Sequence, residues 1–256
     1  MTVLDDIILS VREDLNSRKA LAPNLDEAIA QTPKPIDALT KFIPGPLHVI
    51  AEVKRASPSK GNLAEIVDPV ALAKSYVAGG ATAISVLTEA RRFKGSMADF
   101  KSVRAAVNVP MLQKDFVVDR YQIEEGFING GNLFLLIVAA LNDEQLHGLF
   151  EYGQGLGMRA LVEVHDQEEL DRAKALNPSF IGVNSRNLKD LSVNFQTFEK
   201  LIPQIDSSII AVAESGIASR VETKRLEEIG AKAILVGETL VRSKDPIEMI
   251  RELRGI

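Results

Sequence analysis

Two residues near the start of the chain's long second stretch could do proton chemistry. Glu52 and Lys54 close the apolar run of VIAEVKRASPSKGNL (49 to 63) and stand two residues apart. In a strand that spacing puts both side chains on one face. A carboxylate beside an ammonium at a strand's end, followed by Ser-Pro-Ser-Lys-Gly, builds a core poorly and a site well. The same ending recurs down the chain: Lys114 and Asp115, Glu163 and His165, Asn184, then Glu214 and Ser215 each follow an apolar run. Counting in twos pairs Leu112 with Lys114, Leu161 with Glu163, Gly182 with Asn184 and Val212 with Glu214 on matching faces. If those faces turn inward, two ammonium groups and three carboxylates meet at one mouth. Alone, each is more often a solvated strand end or a structural salt bridge; together they are costly inside a protein unless paired or used. The chemistry indicated is acid–base work by Lys and Glu. The chain has no cysteine, which excludes disulfides, thiolate zinc sites and cysteine nucleophiles, and His48, His147 and His165 lie too far apart in sequence to suggest a metal site.

Such residues need a scaffold that brings strand ends together. Eight runs rich in Val, Ile and Leu recur: 48 to 54, 82 to 87, 109 to 115, 133 to 138, 159 to 164, 180 to 184, 209 to 214 and 232 to 236. Helical patterns fall between most of them, at 69 to 78, 143 to 156, 167 to 176, 219 to 229 and 246 to 253. Strands alternating with helices imply a parallel sheet with right-handed crossovers, and eight such units closing on themselves give an α/β fold of the (β/α)8 TIM-barrel type. A doubly wound open sheet is the competing architecture, but it usually carries a glycine-rich turn after its first strand, which is lacking here. Gly153, Gly155 and Gly157 read instead as a helix stop.

The 256 residues fit one barrel domain, with 46% hydrophobic and 25% charged residues and a net charge of −5. Five of the eleven prolines fall between Pro23 and Pro46, so residues 1–46 read as a helical extension with a stiff linker, and 47–256 as the barrel. Val3, Leu4, Ile7, Ile8, Val11 and Leu15 have helical spacing, interrupted by Asp5, Asp6, Glu13 and Asp14, a helix rather than an export signal. This helix fits either over the barrel mouth or in a dimer. The longest apolar run, 133 to 141, is nine residues, against the roughly 20 a membrane helix needs. A soluble, cytoplasmic protein is expected. The acidic balance and the lack of a basic stripe with interleaved aromatics argue against nucleic-acid binding.

A second signal is phosphate. Ser215-Gly216 follows the seventh run and Gly237-Glu238-Thr239-Leu240 the eighth, the two loops that commonly bind phosphate in such barrels. Either glycine alone is better read as a tight turn. Glu238 fits a phosphate only through its N–H, with its side chain turned away.

These residues carry a family resemblance. Glu52-Val-Lys-Arg-Ala-Ser-Pro-Ser-Lys-Gly resembles the signature of indole-3-glycerol-phosphate synthases. Further matches follow in order: SVLTEARRFKGS (85 to 96), LQKDFVVDRYQI (112 to 123), LLIVAAL (135 to 141), ALVEVHD (160 to 166), IGVNSRNL (181 to 188), AVAESGI (211 to 217) and ILVGETLVRS (234 to 243). Departures are small: Ser185 stands where Asn or Ala is commoner, and Lys94 where a Gln or Gly often stands.

The resemblance implies ring closure of 1-(o-carboxyphenylamino)-1-deoxyribulose 5-phosphate to indole-3-glycerol phosphate, with loss of carbon dioxide and water and no cofactor or metal. It implies Lys114 as acid for ring closure and Lys54 holding the substrate carboxylate or protonating the leaving hydroxyl. Glu163 is then the base, Glu52 orients Lys54 or shares the base role, and Glu214 and Asn184 bind hydroxyls. Ser57, Ser215, Gly216, Gly237 and Glu238 are implied phosphate contacts; Phe93, Phe116, Leu135 and Leu188 an apolar wall for the benzene ring. Leu135 reads nearly as well as simple core, whereas Phe93 and Phe116 read as loop aromatics exposed for a purpose. Arg186 pairs with the substrate carboxylate or braces a loop carboxylate. His165 receives no chemical role and reads as structural or solvent-facing. Lysines at work near neutrality need depressed pKa values, which burial and a neighbouring ammonium supply and adjacent glutamates oppose; the sequence leaves that balance open.

The implied partner is a small phosphosugar, with the chain a monomer or weakly associated with other enzymes of tryptophan synthesis. A phosphoribosylanthranilate isomerase would share the phosphate loops but is expected to need a cysteine. A non-catalytic relative is opposed by the retention of all six polar residues.

Overall fold

A computed structural model describes residues 2–22, 24–58, 60–63, 66–188 and 190–256. Eight parallel strands close into a barrel: β1 (His48–Val53), β2 (Ala83–Leu87), β3 (Met111–Lys114), β4 (Leu133–Ile137), β5 (Arg159–Val164), β6 (Phe180–Asn184), β7 (Ile210–Glu214) and β8 (Ala233–Val236). Each pairs with its neighbours in sequence, and β1 closes the ring by pairing with both β2 and β8. The strands are short because their ends are set by groups that leave the ladder. The third run, expected from 109, begins pairing at Met111, since Pro110 has no N–H to give.

The outer helices begin where side chains can accept the free N–H groups of a first turn. Asp68 caps α3 (Pro69–Ala78), Ser96 caps α4 (Met97–Arg104), Asp119 caps α5 (Arg120–Ile128) and Asn142 caps α6 (Asp143–Gly155). Asp166 caps α7 (Gln167–Ala175), Ser219 caps α9 (Arg220–Glu228) and Asp245 caps α11 (Pro246–Arg254). The remaining outer helices are α8 (Gln196–Leu201) and the short α10 (Glu238–Arg242), which begins directly at Gly237. The glycine cluster of α6 is only partly a stop. Gly153 lies within the helix, where a Cβ would fall 2.3 Å from the Phe134 ring; the turn is made by Gly157 at φ +86°. Gly153 therefore serves close packing of α6 on β4.

The segment before the barrel forms α1 (Val3–Leu21) and α2 (Asp26–Gln31). Leu4, Ile7, Val11 and Leu15 of α1 are buried in the same core as the barrel. Ion pairs fasten its polar side: Arg18 to Glu125 at 2.6 Å, Lys19 to Asp119 at 2.7 Å, Arg91 to Glu13 at 2.8 Å, and Arg92 to Asp6. α1 therefore packs on the barrel. No helix among the described residues is long and apolar enough to cross a membrane.

Candidate active site

Parallel pairing fixes which strand ends meet. Glu52 lies opposite Ser85, Lys114 opposite Leu87, Glu163 opposite Ile137, and Asn184 opposite Glu214. Their side chains turn into a cavity of about 840 Å³ at the carboxyl end of the barrel, a size suited to a small organic ligand. Every candidate named from the sequence lines it: Glu52, Lys54, Ser57, Phe93, Lys114, Phe116, Leu135, Glu163, Asn184, Arg186, Leu188, Glu214, Ser215, Gly216, Gly237 and Glu238. Val3, Leu4 and Ile7 of α1 complete the wall, so the amino-terminal helix is part of the mouth.

The charges share too few partners. Lys114 Nζ stands 3.5 Å from Glu163 Oε2 and 4.0 Å from Glu214 Oε2, while Lys54 Nζ stands 3.4 Å from Glu52 Oε1. Three buried carboxylates thus surround two ammonium groups, and Glu214 Oε1 has no hydrogen-bond partner among the described residues. Burial by itself would drive the proton from Lys114, but Glu163, Glu214 and Glu52 outweigh it and hold its pKa above the ordinary lysine value. The balance left open by the sequence falls on the side of the glutamates. For Glu163, burial pushes the pKa up, but Lys114 and His165 overcome it and keep the carboxylate ionised far below its ordinary value. Burial and the Glu163 charge both push Glu214 well up. The site therefore holds a lysine pushed toward its charged form, one carboxylate pushed toward ionisation and a second pushed toward protonation, within reach of one another.

Glycines make room for these groups. A Cβ on Gly182 would fall 2.1 Å from Glu214 Oε1, and one on Gly237 2.6 Å from Glu52 Oε1. Gly237 is thus more than a loop residue, because the Glu52 carboxylate occupies the space over it. Ser215 and Gly216 both have positive φ, +71° and +69°, and turn the chain after β7 toward the cavity. The Glu238 side chain pairs with Lys60 at 2.6 Å and with Arg242 at 3.5 Å, and all three residues line the cavity.

Phe93 and Phe116 are not exposed, as their loop positions suggested. Phe116 is buried and Phe93 half-buried, with their rings 5.8 Å apart, and Lys54 Nζ lies 5.5 Å from the Phe93 ring centre. They cover apolar surface while keeping one edge on the cavity. The loop carrying Phe93 is clasped by Glu89, a residue the sequence reading passed over. Its buried carboxylate accepts the N–H groups of Arg91, Arg92 and Phe93 at 3.0, 2.8 and 2.8 Å. A glutamate two residues before an Arg-Arg-Phe run is the local signal that could have revealed it. Arg186 donates to the Leu191 carbonyl at 3.0 Å. His165 is not solvent-facing: its ring is mostly buried, 3.2 Å from Glu163, which leaves the structural reading.

A closed parallel barrel with charged side chains converging at the carboxyl ends of its strands, beside the last two glycine loops, has the build of a TIM-barrel enzyme. The sequence profile of the indole-3-glycerol phosphate synthase family matches residues 4–253, and the chain belongs to that family. An indole-3-glycerol phosphate synthase of Nocardioides sp. is 50% identical over 258 residues, covering 100% of this chain and 99% of its own. One of Kineococcus radiotolerans is 51% identical over 265 residues, covering 99% and 95%. Among solved structures, a 3-hexulose-6-phosphate synthase of Salmonella typhimurium aligns with TM-score 0.66 at 11% identity, covering 82% of this chain and 97% of its own. At that identity it supports the fold alone.

Proposed function

We propose that this protein closes the indole ring of 1-(o-carboxyphenylamino)-1-deoxyribulose 5-phosphate with Lys114 as acid and Glu163 as base. The observation that carries the assignment is the buried triangle of Lys114, Glu163 and Glu214 at the end of three different strands. When the aromatic carbon attacks the ketone, a carbon–carbon bond forms and negative charge gathers on the former carbonyl oxygen. A charged Lys114 in a dry mouth stabilises that oxygen and protonates it. Carbon dioxide then leaves with its bonding electrons returned to the ring, so no oxidant is needed. The new hydroxyl departs as water after protonation by Lys54, which Glu52 orients, and Glu163 takes the proton released as the aromatic indole forms.

Binding follows from the same walls. The substrate phosphate lies against the N–H groups of Gly216, Gly237 and Glu238 with Ser57 and Ser215 alongside. The benzene ring packs between Phe93, Phe116, Leu135 and Leu188. Asn184 and Glu214 hold the sugar hydroxyls, and Arg186 with Lys54 receives the substrate carboxylate. We place the enzyme in the cytoplasm as a monomer, with at most weak association with other tryptophan-pathway enzymes.

The chain has no Trp, so indole fluorescence rises over little background. Purified protein mixed with the anilino-deoxyribulose phosphate should give prompt signal, and Lys114→Ala should not. Tight substrate binding without signal in the wild type would favour a non-catalytic barrel.

A further inference from the structure

One buried titratable group near the site has no part in the steps above. His165 follows β5 and lies between two carboxylates: its Nδ1 is 2.9 Å from Glu169 Oε2 and its Nε2 is 3.2 Å from Glu163 Oε1. Its backbone N–H donates to the same Glu169 oxygen at 2.8 Å. Glu169 sits in the first turn of α7, where its own N–H donates to the Asp166 cap at 3.0 Å. The local turn therefore fixes Glu169, and Glu169 fixes the imidazole. Neither His165 nor Glu169 lines the cavity. The ring stands behind Glu163, on the oxygen opposite the one that faces Lys114.

The contact with Glu163 is electrostatic rather than a well-aligned hydrogen bond, since Nε2 has no partner of good angle among the described residues. An imidazole held between two carboxylates keeps both protons. The groups that face it are Glu163 from β5 and Glu169 from α7, and beyond Glu163 stand Lys114 from β3 and Glu214 from β7.

The arrangement resolves an ambiguity built into the mouth. Glu163 and Glu214 are neighbouring buried carboxylates that both face Lys114, and two such groups tend to share a single proton. Lys114 leans toward Glu163, at 3.5 Å against 4.0 Å to Glu214, but its charge bears on both. His165 touches one only. We propose that His165, buttressed by Glu169, is a positioning residue that makes Glu163 rather than Glu214 the ionised member of the pair, and so designates the base. Burial disfavours the imidazolium, but the two flanking carboxylates raise its pKa to about 10, so the cation persists throughout the neutral range. The proposal rests on the assignment of Glu163 as base given above.

The test is the pH dependence of kcat and of KM in the full-length protein carrying His165→Gln, with Glu169→Gln as a second variant should the first fold poorly. Loss of the cation makes Glu163 easier to protonate, so the acid limb of the kcat profile should move to higher pH by about one unit. At neutral pH, kcat should fall by roughly 10- to 100-fold, the range typical of groups that act through another, while KM holds, because His165 does not reach the cavity. Glu169→Gln should move the acid limb in the same direction by less. In a Glu214→Gln background, where no second carboxylate competes for the proton, His165→Gln should cost markedly less. An acid limb that stays in place in both variants, or an equal cost in the two backgrounds, overturns the proposal. An inactive wild type would instead overturn the assigned reaction.

Discussion

The two ends of the barrel handle buried polar groups in opposite ways. At the amino end, the polar groups that hold the linker have partners of their own. Asn132 accepts from the Met111 N–H at 2.9 Å and donates to the Ile36 carbonyl at 3.0 Å; Arg254 donates to the Leu47 carbonyl at 3.2 Å; Arg159 donates to Asp37 at 3.1 Å. His48 bridges Thr82 and the Ile43 carbonyl at 2.9 and 2.8 Å, and burial pushes its pKa down, toward the neutral ring. Together they tie the proline-rich linker under the barrel. At the carboxyl end, three carboxylates compete for two lysines and one oxygen is left over. Fully satisfied polar groups hold an architecture; an under-satisfied cluster is held ready for a ligand that completes it.

The contrast is broken most directly by removing one group from each end. Lys114→Ala should lower kcat by about 10³-fold or more, since it removes the acid and the charge that stabilises the developing alkoxide. Asn132→Ala should do the reverse. It leaves the buried Met111 N–H and the Ile36 carbonyl without their partner, at a cost of about 2–3 kcal/mol in urea unfolding, with kcat of the folded protein unchanged. A loss of kcat in Asn132→Ala as large as its loss of stability would mean that the two ends are not separable.

A finer comparison uses pH. The folded pKa of Glu214 is raised above its unfolded value, so keeping its carboxyl buried costs stability once the unfolded chain can ionise. This group's penalty is absent below the ordinary glutamate pKa, grows as pH rises past it, and levels off above the raised folded value. Glu214→Gln is neutral throughout. The wild type should therefore lose stability relative to Glu214→Gln as pH rises from about 4, which thermal melts in a buffer series would read. A constant difference would show Glu214 to be ionised in the fold.

Legibility in the sequence followed the same divide. The barrel could be read because strand runs, caps and turns are local, and the six strand-end residues because period-two spacing fixes their face. Helix starts at Pro69, Asp143, Gln167 and Pro246 stood where expected, since caps and prolines act on their own neighbours. What escaped depended on contacts between elements. Gly182 matters through the Glu214 carboxylate one strand away, Gly153 through the Phe134 ring, and α1 by periodicity alone could not name its partner. His165 lay between these cases. Its bond to Glu169 is a local i to i+4 contact around the Asp166 cap and was open to inspection; its contact with Glu163 made it significant, and that depends on where β5 ends.

The mouth also tolerates backbone strain. Lys94 holds φ +54° in the loop that carries Phe93, a conformation costly for a residue with a side chain. The following Gly95 cannot relax it, because a Cβ there would fall 2.2 Å from the Leu87 carbonyl oxygen, so backbone packs directly on backbone. Lys94→Gly relieves the strain but enlarges the freedom of the unfolded chain, and the two effects oppose. The expected net gain is small, about 0.5 kcal/mol in unfolding free energy, read as a slight rise of the urea midpoint. KM should not move, because the Phe93 N–H remains bound to Glu89 at 2.8 Å. A rise in KM with the midpoint unchanged would show that Lys94, and not Glu89, sets the pose of the aromatic wall.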